Sequence, residues 1–157
     1  KLHQDPGTKL FNREALKKHL DMIDTFDNHY GIFLDLDRFK SINDEYGHAV
    51  GDEVLKAVSE LFMQSFNKDV IFYRLSGDEF FIKLENHTLD QTFRFIRTLL
   101  TKLSNLNIND LTIDLSASAG ITQITKHSYT YQAVLKKSDD AMYQAKKLGR
   151  NRVAFIK

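Results

Sequence analysis

The chain has 157 residues, 42% of them hydrophobic, with 22 Lys and Arg against 21 Asp and Glu for a formal net charge of +1. That is enough for one compact domain with a core, and short for two. The interspersed charges leave no footprint for nucleic acid or an anionic membrane, no apolar run reaches the length of a membrane span, and the lack of Cys excludes disulfides, thiolate zinc sites and cysteine nucleophiles, which fits a reducing, cytoplasmic compartment.

The chain starts at Lys1 without an initiator methionine or a signal peptide, which predicts a piece of a longer chain. After this lead-in, Ala15, Leu16, Leu20 and Ile23 predict an amphipathic helix entered near Asn12. "GIFLDLD" is brief and densely apolar, as a buried central strand should be, and its last residues are acidic. From about Val50, the spacing of Val54, Val58, Leu61, Phe62 and Phe66 predicts a second helix with Gly51 and Asp52 at its entrance. "VIFYRL" and "FFIKL" then flank a short polar tip, "SGDE", and predict a β-hairpin. A third helix follows with Phe93, Ile96, Leu99, Leu100 and Leu103 on its buried side. "LTIDLSASAGITQI", which alternates at Leu111, Ile113, Leu115 and Ala117, predicts a half-buried strand, Tyr131 to Leu148 a last helix stopped by Gly149, and "RVAFI" a final strand. A hairpin interrupting a β-α-β alternation predicts an α/β sandwich (α+β) with a ferredoxin-like βαββαβ core and a mixed central sheet flanked by helices.

The hairpin tip needs Gly77 for a left-handed turn, but it gains nothing from the adjacent acids Asp78 and Glu79. They are either solvated decoration or a cation site. Asp35 and Asp37, two apart at a strand end, share one face of the sheet; beside the hairpin, Asp35 could share a cation with Asp78 and Glu79. Oxygen ligands with spare positions favour Mg²⁺ and suit phosphoryl or nucleotidyl transfer. The other reading of "DLD" is a strand that ends in solvent. Lys146 and Arg150, four apart at the end of the last helix, occupy one face and could grip phosphates, although the helix dipole also favours cations there. Lys40 is a further phosphate ligand or a surface lysine. Asn43 and Asp52 could read guanine through its hydrogen-bonding edge, or serve as a turn residue and a helix N-terminal anion.

"FLDLDRFKSINDEYGHAVGDEVL", "RLSGDEF" and "DDAMYQAKKLGRNRV" resemble, in order and spacing, the main motifs of the GGDEF-domain diguanylate cyclases, and "DPGTKLFNR" resembles the family's opening motif. The resemblance spans the chain and implies one GGDEF domain over residues 1–157 of a bacterial protein, similar in fold to nucleotidyl cyclase and polymerase palm domains. It implies that two GTP condense to cyclic di-GMP and two pyrophosphates across a homodimer, with sensor or effector domains elsewhere in the full chain. Carried over, Asp35, Asp78 and the Leu36 carbonyl would hold Mg²⁺ or Mn²⁺, and Glu79 would support the metal site or help deprotonate the 3′-hydroxyl. Asn43 and Asp52 would read guanine, Gly77 would contact substrate, and Lys40, Lys146 and Arg150 would hold phosphates. Three motifs depart from the family pattern. Ser76 replaces the first Gly of the motif and predicts reduced activity. Asn67 and Val70 replace the Arg and Asp of the RxxD product-inhibition motif and predict no feedback through it. Gly7 and Lys9 replace the usual Leu and Gly of the opening motif and point to a changed junction with an upstream partner.

Overall fold

The computed structural model describes residues 3–157. Its elements are α1 (Arg13–Asp21), β1 (Tyr30–Leu36), α2 (Phe39–Tyr46), α3 (His48–Ser65), β2 (Val70–Ser76), β3 (Glu79–Leu84), α4 (Leu89–Ser104), β4 (Ala117–Gln123), α5 (Tyr131–Lys147) and β5 (Arg152–Phe155). The strands form one five-stranded sheet in the order β2-β3-β1-β4-β5. The first four pair antiparallel as in a ferredoxin-like core, and β5 adds a parallel edge beside β4.

β1 is buried along its whole length, as its apolar density predicts for a central strand. Its alternate residues serve two cores. Ile32, Leu34 and Leu36 pack with Val54, Val58 and Phe62 of α3 and with Ile96, Leu99 and Leu103 of α4. Phe33 points to the other face, with Leu16 and Leu20 of α1 and Val134 and Met142 of α5. Asp35 continues that second row, and Glu79, its direct partner on β3, lies on the same side as Phe81. The sheet's period of two therefore sets both acids toward α5.

Local signals explain most of the helices. The Asn12 side chain accepts from the Ala15 amide and caps α1, while Thr88 and Gln91 form a reciprocal capping box on α4. Gly120 brings α5 onto β4: a Cβ there would lie 2.1 Å from the Met142 nitrogen and 2.2 Å from the Ser138 carbonyl oxygen, so only glycine admits the helix backbone.

Three expectations are corrected. The strand expected over 111–124 starts only at Ala117, because β1 ends at Leu36, its partner, and residues 111–116 make only isolated contacts, a bridge from Leu111 to Ile108 and the Asp37 amide on the Ser116 carbonyl. The unanticipated α2 places Asn43 in a helix rather than a turn, and α3 begins at His48, so Asp52 lies beyond the first helical turn. Lys146 and Arg150 do not share a helical face, because α5 ends at Lys147 and Arg150 sits in a left-handed turn with φ 65.

Candidate active site

The acids converge at one end of the sheet. Asp35 is 8% exposed; its Oδ2 accepts from Lys146 Nζ at 2.5 Å, and its Oδ1 is buried with no donor. The hairpin is fastened to β1 by the Leu36 amide, which donates to the Asp78 carbonyl at 3.2 Å. This sets the Asp78 side chain beside Asp35. Burial pushes the Asp35 carboxyl up to about 6, Asp78 adds to the rise, and Lys146 offsets only part of it. A buried carboxylate oxygen without a donor, beside a second carboxylate, fits a cation bound by oxygen. Among the described residues no three His, Cys, Asp or Glu side chains converge on one point. The side chains that meet here are the two carboxylates of Asp35 and Asp78, which would leave positions for other oxygen ligands.

Gly77 turns the hairpin tip with φ 41, and a Cβ there would meet nothing within 4 Å. Arg74 steadies this turn, its Nε donating to the Gly77 carbonyl at 3.0 Å while its guanidinium pairs with Asp5 at 3.1 Å. Ser76, last in β2, is not among the residues with positive φ, so its side chain brings no backbone strain. Its hydroxyl donates to Glu79 Oε1 at 2.8 Å.

Asp37 shares the face of Asp35 but does different work. It is buried and accepts from the hydroxyls of Ser116 and Ser118, each at 2.6 Å, and from the Asn151 amide at 3.0 Å. Its oxygens are occupied by protein donors, which removes it from the cation site.

The packing of α2 on α3 sets Asn43 against Gly51, the chain neighbour of Asp52. The Asn43 side chain lies over Gly51, where a Cβ would fall 1.8 Å from its Oδ1. Gly51 is buried and Asp52 beside it is exposed. Lys40 is not drawn to the acids: its side chain is 89% exposed and pairs with Asp44 one turn along α2. The residues in place of the product-inhibition motif are spent locally. Asn67 Oδ1 accepts from the Asp69 amide, and Val70 is in the core.

Asp139 was missed by sequence reasoning. Desolvation and then Glu79 hold its carboxyl above the ordinary range, with Asp140 and Asp35 adding to the rise and Lys146 opposing it, so it belongs to the same charge network. Its seven-residue spacing from Lys146, two helical turns, was the available signal. Clefts of about 790 Å³, along Gln64, Arg94 and Lys102, and about 760 Å³, along His19, Lys83 and Glu85, lie elsewhere. None of the candidate residues lines them, so chemistry rather than volume places the site.

Known proteins resemble this chain in sequence and in fold. The family model "Diguanylate cyclase, GGDEF domain" matches residues 2–152. The chain is 36% identical over 162 residues to diguanylate cyclase DosC of Escherichia coli K12, covering 98% of this chain and 35% of that protein. It is 34% identical over 153 residues to cyclic di-GMP phosphodiesterase PdeR of the same organism, covering 93% of this chain and 23% of PdeR. It thus spans about a third or less of these relatives' length. Among solved structures, the active GGEEF domain of a diguanylate cyclase from Vibrio cholerae superposes with a TM-score of 0.82 at 27% identity, covering 93% of this chain and 97% of that one. The GGDEF domain of DgcB from Caulobacter crescentus, in complex with c-di-GMP, superposes with a TM-score of 0.87 at 24% identity, covering 99% and 93%. With its acid pair on a β2–β3 hairpin facing the end of β1, and a family match running almost from end to end, the chain belongs to the GGDEF family of diguanylate cyclase domains.

Proposed function

We propose that this domain makes cyclic di-GMP from two GTP, releasing two pyrophosphates. The observation that carries the reading is the buried Asp35 with its donorless Oδ1, held between Asp78 and Lys146 at the end of the sheet. Asp35, Asp78 and the Leu36 carbonyl hold Mg²⁺ or Mn²⁺. Such an ion neutralises phosphate charge and eases ionisation of the 3′-hydroxyl. Lys146 and Arg150 hold the phosphates, with Lys40 reaching them from α2, while Gly77 lets the hairpin backbone approach the nucleotide closely. Asn43 and Asp52 pair with guanine, and adenine is rejected because it leaves those groups unpaired. Glu79 supports the site or takes the proton of the attacking hydroxyl. Each domain holds one GTP, so turnover needs a second copy facing the first, and neighbouring sensor or effector domains control that encounter. Among the described residues no helix is long and apolar enough to cross a membrane.

A second reading is a GTP-binding regulatory domain without turnover, attached to an effector such as a cyclic di-GMP phosphodiesterase. It is favoured by the Ser76–Glu79 hydrogen bond and by the similarity to PdeR. Chromatography of products from GTP and Mg²⁺ separates the two, using the parent, Asp78→Ala and a fusion to a strong dimeriser. Cyclic di-GMP from the parent but not from Asp78→Ala supports the cyclase. Bound GTP without product, even in the forced dimer, supports the regulatory domain.

A further inference from the structure

Arg150 and Asn151 take consecutive left-handed conformations, φ 65 and φ 48, directly after Gly149 at φ 127. Side-chain-bearing residues are strained in that region, and two in succession persist only where their surroundings fix them. Here the backbone is held at each step. The Arg150 amide donates to the Ala145 carbonyl at 3.0 Å, its carbonyl accepts from Arg152 Nε at 2.9 Å, and the Asn151 amide donates to Asp37 Oδ2 at 3.0 Å. The first two contacts lie within the α5–β5 segment itself; the third ties the turn to the end of β1. Asp37 is in turn fixed by the hydroxyls of Ser116 and Ser118, at the short distances typical of a charged acceptor.

We propose that Asp37 is a positioning residue for Arg150. Its carboxylate clamps the 149–151 turn so that the guanidinium is presented to the phosphates of the nucleotide; this rests on the GTP reading above. Asp35, in β1, and Asp37, just past its end, thus divide the work: Asp35 takes the Lys146 ammonium, and Asp37 takes the backbone beside Arg150. A guanidinium grips a phosphate well only in a fixed orientation, which a short link between a helix and an edge strand does not supply by itself. Asparagine at position 37 keeps the size but cannot accept from three donors, because its amide nitrogen donates.

The test compares the parent with Asp37→Asn, Arg150→Ala and the double variant. Calorimetry with Mg²⁺ reads the binding of 3′-deoxy-GTP, which lacks the attacking hydroxyl, and of guanosine, which lacks phosphates. Each single variant is expected to weaken 3′-deoxy-GTP about tenfold and leave guanosine within about twofold, and the double variant to be no weaker than either single. Amide exchange in the ligand-free protein should show Asn151 protected in the parent and exchanging about tenfold faster in Asp37→Asn. Equal losses for guanosine, unchanged 3′-deoxy-GTP affinity or additive losses would overturn the proposal. If Asp37→Asn does not fold, the parent decides: an Asn151 amide that exchanges as freely as a loop removes the clamp. A parent that binds guanosine but not 3′-deoxy-GTP overturns the phosphate role. A parent that binds neither overturns the GTP reading itself, while Asn151 protection still reports on the clamp.

Discussion

Lys146 of α5 donates to Asp35 of β1 at 2.5 Å, joining residues 111 positions apart in the chain. The contact sets the ammonium against a buried carboxylate whose second oxygen has no donor and whose neighbour is another acid. One positive charge only partly neutralises this group, and Asp35 stays above its ordinary range.

A pH dependence follows. An acid whose folded pKa is raised from 3.8 to about 6 is penalised while ionised, fully above pH 6, and the penalty is relieved as pH falls from about 6 toward 3.8. In that window this group makes the ligand-free protein more stable as pH falls. Asp35→Asn removes the effect, so its advantage in melting temperature over the parent should shrink across the same window. Melting curves of both proteins across this range check it, and an advantage constant with pH would assign the shift elsewhere.

Gly51→Ala places a methyl group 1.8 Å from Asn43 Oδ1 and 2.9 Å from its Cγ. Alanine is the better helix former, but here it must push the Asn43 side chain aside. The expected result is a loss of about tenfold in preference for GTP over ATP, equivalent to one good hydrogen bond, in a protein that still folds. Parallel titrations of the two nucleotides measure it.

Ser76 acts on Glu79 through its hydroxyl, 2.8 Å from Oε1. If that bond restrains Glu79, both Ser76→Gly and Ser76→Ala should raise turnover by about fivefold, the equivalent of ~1 kcal/mol. A gain in Ser76→Gly alone would instead assign the restraint to side-chain bulk. Steady-state rates of cyclic di-GMP formation separate the two.

Feedback through residues 67–70 is not expected, because Val70 is 1% exposed in the core and Asn67 is turned onto the Asp69 amide. Added cyclic di-GMP should leave initial rates unchanged through this site, and Asn67→Ala with Lys68→Ala should alter no inhibition that is seen. Inhibition abolished by that pair would sink the prediction.

The sequence by itself determined the elements whose signals are local. Asn12 and Thr88 cap α1 and α4, Gly77 with its flanking alternation makes the hairpin, and the apolar density of "GIFLDL" makes the central strand. It also placed the acids at a strand end and a turn, where the family motifs lie. α2 escaped because it is eight residues long and opens on a left-handed Arg38 with no side-chain cap, so it carries no start signal. Residues 111–116 alternate as a strand does, but a strand exists only against a continuous partner, and they meet only single contacts at Leu111 and Ser116. Only the tertiary structure decided that Asp35 meets Lys146 and Asp37 meets Ser116, Ser118 and Asn151, because those contacts join positions 79 to 114 residues apart. Carboxylates spaced alike along a strand acquire different roles from the donors that folding brings to them, and no periodicity along the chain encodes which donors those are.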